Sequence, residues 1–230
     1  MSDTVAESSY VQTAISTKVL RCLAPLVTAI AAAACSSPTA PSPTPSTLAL
    51  QSSAWQTIGD PQPFPLANDG AALTFEFPTT GSINYLFIAS PLTIVRGTLS
   101  VTVRVTTTGP AVFNSLDPQT STCTIPSSVR PFLWANDNGN GDYDRWWSNT
   151  RAFTLAAGTG TITVPLTADA WSSVNGKVGN ADGPTKFAFD KALLNVSRLG
   201  LTFGGGCSFG HGINVSGGAA TFGVTEYAIR

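Results

Sequence analysis

Residues 99–106 read LSVTVRVT, in which Leu99, Val101, Val103 and Val105 alternate with Ser100, Thr102, Arg104 and Thr106. A period of two puts the four aliphatic side chains on one face of an extended strand and the polar ones on the other, so one face is buried and the other wet. The same signature recurs on either side. Leu73, Phe75 and Phe77 flank Thr74 and Glu76, and Ile162 and Val164 alternate with Thr161 and Thr163. Further strands are predicted at 83–89, 130–135, 151–155, 199–203 and 219–229, separated by turn-forming stretches such as Thr108-Gly109-Pro110 and Gly158-Thr159-Gly160. Eight to ten strands in residues 48–230 predict an all-β domain, a two-sheet antiparallel sandwich. One stretch reads as a short helix: residues 184–196, PTKFAFDKALLNV, place Phe187, Leu194, Ala188 and Lys191 at helical spacings. Residues 167–174, TADAWSSV, predict a second helical turn.

Composition agrees with strands and turns. Of 230 residues only 11% are charged while 43% are hydrophobic, and long surface helices would normally carry more Glu and Lys. A net charge of −1, with Lys and Arg scattered singly, leaves no basic stripe to neutralise phosphates, so nucleic acid is not expected as a partner. The lone histidine, His211, rules out a site built from several imidazoles within one chain, so any metal would have to be bound by carboxylates and carbonyls.

The N-terminal segment carries an address. Lys18 and Arg21 precede an uncharged apolar run over residues 22–34, about 13 residues. That is a secretory signal pattern, and it is shorter than the roughly 20 residues that span a bilayer. Ala32-Ala33-Ala34-Cys35 resembles the lipobox of bacterial lipoproteins, although Ala32 stands where Leu is usual and residues 1–17 include Asp3 and Glu7. The resemblance implies that Cys35 is lipidated and becomes the mature N-terminus; the alternative is ordinary cleavage after one of the alanines. Residues 36–47, SSPTAPSPTPST, then form a Pro/Ser/Thr tether inclined to polyproline II. The expected division is a signal peptide at 1–34, a lipidated Cys and tether at 35–47, and a sandwich at 48–230. Ser36 after the Cys implies the outer membrane, facing periplasm or exterior, by the same resemblance. With Cys22 removed and Cys35 lipidated, Cys123 and Cys207 remain as an even pair in an oxidising compartment and are expected to form a disulfide, the alternative being two buried thiols.

Two segments carry candidate chemistry. Residues 136–144, NDNGNGDYD, place Asn136, Asn138 and Asn140 at alternate positions before Asp142 and Asp144. This resembles the front of an EF-hand loop, but Trp147 stands where the closing Glu belongs and neither flank is helical, so an EF-hand is rejected. Two readings stay open: a looser structural Ca²⁺ site formed by these five residues, or a plain loop of Asn and Gly. Arg145, Trp146 and Trp147 follow. Neighbours on a strand face opposite ways, so at most one indole points into the core. The other could stack against a sugar ring while Asp142, Asp144, Arg145 and Asn149 meet its hydroxyls, or it could lie under a neighbouring loop. Trp55, Trp134 and Trp171 read as core or end-cap residues.

Two apparent catalytic signals are weak. Gly206-x-Ser208-x-Gly210 has the nucleophile-elbow spacing, but it lacks a following helix and a distant His, so His211 reads as a structural hydrogen-bonding group. Beyond the leader the only Glu residues are Glu76 and Glu226, each in a predicted strand, which leaves no evident pair for glycoside hydrolysis. An enzyme is not expected.

Trp55, the stretch TITVPLTADAW at 161–171, and the late strands LGLTFGG (199–205) and ATFGVTEYAI (220–229) resemble galactose-binding-like jelly rolls found in many carbohydrate-binding modules. The resemblance is one of pattern over most of the domain, without a diagnostic motif. It implies a jelly-roll sandwich that binds carbohydrate at the cell envelope. The alternative is a structural or protein-interaction envelope lipoprotein.

Overall fold

The structure, a computed structural model, describes residues 46–230 apart from 61, 63, 90, 91, 95, 117–125, 136–140, 150–152, 206 and 207. Cys35, Cys123, Cys207, Asn136, Asn138 and Asn140 lie outside the described residues, as do the expected signal peptide and most of the tether.

Among the described residues, sixteen strands, several of only two residues, and one α-helix follow in chain order. They are β1 (Ser46–Thr47), β2 (Trp55–Asp60), β3 (Ala67–Asn68), β4 (Leu73–Glu76), β5 (Ser82–Ile88), β6 (Thr98–Thr108), β7 (Val112–Ser115) and β8 (Ser128–Ala135). After them come β9 (Arg145–Ser148), β10 (Phe153–Thr154), β11 (Gly158–Pro165), β12 (Trp171–Ser173), α1 (Gly183–Leu193), β13 (Val196–Gly205), β14 (Ser208–Phe209), β15 (Ile213–Ser216) and β16 (Ala219–Ile229). They form two antiparallel sheets. The first runs β11-β6-β16-β4-β3, with β1 beside β16; the second runs β12-β9-β8-β13-β5-β15-β7, with β2 on β5, β10 on β8 and β14 on β13. Ser46 and Thr47, the last two residues of the expected tether, are therefore paired with Ile229 and Ala228 in the first sheet.

The alternating residues named from sequence meet where the sheets face each other. Leu99, Val101, Val103, Val105, Ile162, Val164, Leu73 and Phe75 from the first sheet are buried against Leu86, Val129, Leu133, Leu199, Leu201 and Phe203 from the second. Each such side chain contributes about 1.5–3 kcal/mol by leaving water, which makes this interface the main source of stability. Alternation in β16 is reset once. A bulge between Val224 and Glu226 lets Phe222, Val224 and Tyr227 all face inward, opposite Val105, Val103 and Val101.

The helix begins where sequence places it, with Asp182 as N-cap accepting from the Thr185 N–H at 2.7 Å and Pro184 in its first turn. Its buried face differs from the expected one. Phe187 is 71% exposed and Leu194 50% exposed, whereas Thr185, Phe189, Ala192 and Leu193 are buried, a set spaced i, i+4, i+7, i+8. The reason is Phe189, which packs edge-on to Trp146 with ring centroids 5.1 Å apart and lies 6.2 Å from Trp171. Together the three rings plug the end of the sandwich. The second expected helical turn is a single 3₁₀ turn at Ala168–Ala170 leading into β12.

Candidate functional site

The outer face of the second sheet is unlike that of an ordinary strand pair. In β8, Val129, Leu133 and Ala135 point into the main core, while Phe132 belongs to a second aromatic cluster with Tyr85 and Phe87, against which Ile58, Trp134 and Trp147 pack. Two local features gather these rings. Gly200 of β13 lies opposite both Phe132 and Phe87, and without a side chain between them the rings come together across the strand, 6.4 Å apart. A Cβ on Gly200 would fall 2.6 Å from the Phe87 Cα, so no larger residue fits. Tyr85 then packs edge-on to Phe132 at 4.9 Å and to Trp134 at 5.2 Å.

The second feature is a bulge. Ile58 pairs with Tyr85 but the next residue, Gly59, pairs with Ile83, which leaves Asn84 as an extra residue in β5. Ile83 therefore faces the main core and Tyr85 the outer cluster, although they are two positions apart. Asn84 uses its side chain on the outer side: its Nδ2 donates to the Gly210 carbonyl at 2.7 Å, and its Oδ1 accepts from Ser82 Oγ at 2.8 Å. This pins the segment 208–212 over Tyr85. Gly210 has φ +82° and sits so close that a Cβ would fall 1.9 Å from the Tyr85 hydroxyl.

Between this segment and β9 opens a cavity of about 470 Å³, within the range of small-ligand sites of roughly 300–1,000 Å³. Tyr85, Trp147 and Phe209 give it aromatic walls; Arg130, Arg145, Asn149, Ser172 and His211 give it polar ones. Arg130 is held in place, its Nη1 donating to the carbonyls of Ser148 at 2.8 Å and Asn149 at 3.1 Å, with its guanidinium 3.3 Å over the Phe209 ring. Burial pulls its pKa down to about 10. Burial also pushes the Tyr85 phenol up, against the opposing pull of the nearby Arg145 cation and a hydrogen bond to Thr202. Asn149 frames the rim. Its Nδ2 donates to the Asp169 carbonyl at 2.7 Å and its Oδ1 accepts from Ser172 Oγ.

Several buried donors on this outer face find no hydrogen-bond partner among the described residues: Nε of Arg130 and of Arg145 and Nε1 of Trp147 at the cavity, and Nε1 of Trp134 in the aromatic cluster. Buried donors in native proteins are normally paired, so a cluster of four marks this face as unusual.

Of the residues singled out from sequence, Arg145, Trp147 and Asn149 come together in this cavity. Trp146 points the other way, fully buried, with its Nε1 donating to the Tyr143 carbonyl at 2.8 Å. Asp142 is exposed, and Asp144 accepts from the Gly141 N–H at 3.1 Å and lines a separate, smaller depression with Tyr143 and Lys191. Among the described residues no group of three His, Cys, Asp or Glu is placed to hold a metal. His211 is exposed at the rim. Ser208 opens β14 instead of the helix that a nucleophile elbow requires.

Sequence reading missed Tyr85, Arg130 and Phe209, and it placed Trp134 in the core when it belongs to the outer cluster. A signal was present in VRPFLWA, residues 129–135, where the positions opposite Val129, Leu133 and Ala135 are Arg130, Phe132 and Trp134. Large aromatic residues at outward positions mark a covered or ligand-bearing face.

No protein-family model matches the chain, and no curated protein matches it. In structure it is similar to the xylan-binding module CBM15, at 11% identity and a TM-score of 0.41, covering 81% of this chain and 95% of that one. It is also similar to the family 11 carbohydrate-binding module of the cellulosomal cellulase Lic26A-Cel5E of Clostridium thermocellum, at 11% identity and a TM-score of 0.40, covering 76% and 86%.

Proposed function

We propose that the domain is a non-catalytic module that binds a sugar chain in the cavity on the outer face of its second sheet, with Trp147 as the stacking platform. The observation that carries this reading is the cavity itself. A half-buried indole forms one wall of a 470 Å³ space whose other walls alternate aromatic rings with Arg, Ser and His side chains. Pyranose rings present C–H faces that stack on indoles and hydroxyls that need fixed polar partners, and both kinds of group are supplied here. No Asp or Glu stands among the described lining residues, whereas glycoside hydrolysis needs two carboxylates across the bond. Binding is therefore favoured over cleavage. The leader, the Ala-Ala-Ala-Cys35 stretch and the Pro/Ser/Thr tether support export and attachment to a bacterial membrane through Cys35, with the module presented to envelope or external polysaccharide.

The test is affinity electrophoresis of the protein through gels containing a panel of soluble polysaccharides, run with Ca²⁺ and with EDTA, for wild type and Trp147→Ala. Retardation by at least one polysaccharide, lost in the variant while its urea midpoint stays near that of wild type, is the expected result. Equal retardation of wild type and variant, or none anywhere in the panel, sinks the reading.

A further inference from the structure

Among the described residues, three arginines of the second sheet's outer face have no acidic partner. Four ion pairs join described residues: Arg104–Asp69, Lys177–Asp182, Lys186–Asp190 and Arg230–Glu226. None involves Arg130, Arg145 or Arg198. Arg198 instead lies over aromatic rings, 4.7 Å from the centre of Trp134 and 5.0 Å from that of Phe87. Arg130 and Arg145 line the cavity with His211, and no described lining residue is acidic. A half-buried cation without a counter-charge is costly to keep, because desolvation is not offset by attraction. Arg130 bears this cost in a fixed pose, tied to two backbone carbonyls and to the Phe209 ring.

A neutral sugar site would be served as well by amides and hydroxyls. Arginine adds a planar fork that matches an oxyanion in two bonds at once. From two cations with no acidic partner among the described residues, lining a cavity with no described acidic side chain beside the Trp147 platform, we infer that the cavity selects an anionic sugar chain, with Arg130 and Arg145 meeting its charged substituents. The inference rests on the sugar-binding reading above and specifies the class of chain. The oxyanion has two natural sources, the carboxylate of a uronic acid and a sulfate ester, and both present the same chemistry to a guanidinium.

Matched pairs of polymers separate the possibilities. Isothermal titration of the protein with polygalacturonate against its methyl-esterified form, and with dextran sulfate against dextran, isolates the charge in each case. Within at least one pair, the anionic member is expected to bind about tenfold or more tightly than its neutral partner, since a charge-assisted hydrogen bond contributes about one factor of ten or more. Preference within the first pair assigns a carboxylate; preference within the second assigns a sulfate. Arg145→Gln should remove most of that ratio, Arg130→Gln should do the same if it folds, and Arg104→Gln, on the opposite sheet, should leave it intact. The preference should also shrink as salt rises. Neutral chains binding as tightly as anionic ones, with Trp147→Ala still abolishing both, would overturn the charge selection and leave the sugar module standing. A ratio that survives Arg145→Gln overturns it equally. Binding of none of the four polymers, together with a blank polysaccharide panel, would overturn both.

Discussion

Gly210→Ala tests how the cavity is built, because the structure separates two costs at this position. The backbone there has φ +82°, which an L side chain adopts at an expense of about 1–3 kcal/mol. The new Cβ would also stand 1.9 Å from the Tyr85 hydroxyl, where 3.4 Å is the near edge of ordinary contact, so a displacement of about 1.5 Å is needed. Tyr85 is only 8% exposed and wedged against Phe132 and Trp134, so the segment carrying Phe209 and His211 must lift instead. Overpacking of this kind adds about 1–3 kcal/mol, for a total of about 2–6 kcal/mol. Gly176 supplies the control. It lines the same cavity and has φ +73°, but nothing lies within 4 Å of its added Cβ, so Gly176→Ala carries the backbone cost alone, about 1 kcal/mol. Urea unfolding followed by tryptophan fluorescence measures both, provided the slope is unchanged.

The same geometry fixes a double-mutant cycle. In a Tyr85→Phe background the hydroxyl is gone and the nearest atom to the added methyl is Cζ at 2.7 Å, which halves the required shift. Gly210→Ala should therefore cost about 1 kcal/mol less there than in wild type. A cost for Gly210→Ala no greater than that of Gly176→Ala, or an identical cost in both backgrounds, would refute the claim that Tyr85 sets the height of this segment. Lifting the segment also opens the cavity on the Phe209 side, so glycan retardation should weaken in Gly210→Ala and not in Gly176→Ala.

Other positions separate core from site. Trp146→Ala removes a fully buried indole from the plug with Phe189 and should cost about 3–5 kcal/mol by denaturant midpoint; a loss under about 1 kcal/mol would contradict its burial. Asp182→Ala should lower Tm by about 2–4 °C through loss of the helix cap, read by thermal circular dichroism. The Lys177 ammonium and the Thr185 hydrogen bonds hold the Asp182 carboxyl below the usual carboxylate range. Its contribution is therefore complete above the unfolded value of about 3.9 and fades as pH falls below that, so the Tm gap between wild type and variant should narrow on acidification. Phe187→Ser, on the exposed side of α1, should leave stability within about 0.5 kcal/mol by the same assay, and a loss several times larger would contradict its exposure.

The sandwich was readable because burial on one face imposes a period of two, and 99–106, 73–77 and 161–164 carry that period without interruption. Strands β2, β7 and β15 were not read: Trp55–Asp60 and Val112–Ser115 mix polar with apolar residues on both faces, and Ile213–Ser216 alternates but is only four residues long. The helix was found from its spacing, but two apolar stripes compete on it. The choice between Phe187 and Phe189 was made by Trp146 and Trp171, which lie 41 and 16 residues before Phe187.

The site was half legible for a related reason. Arg145, Trp147 and Asn149 are neighbours in sequence and alternate on one strand edge, so local reasoning brings them together. Asp142 and Asp144 are just as near in sequence, yet a turn before β9 directs Asp144 to the Gly141 N–H and away from the cavity. The remaining walls come from β5, β8, β12 with the turn after it, and the segment after β13, which the extra residue Asn84 ties to β5. A bulge shifts which side chains face outward by one position, and no period in IN-YLF announces it, because Ile83, Tyr85 and Phe87 look like a single apolar face. Read without the bulge, Tyr85 joins the core and the cavity loses the residue on which Gly210 rests. That irregularity sets Tyr85 on the outer side with the aromatic row of β8 and β9, and it fastens over Tyr85 the segment that completes the walls around Arg130 and Trp147.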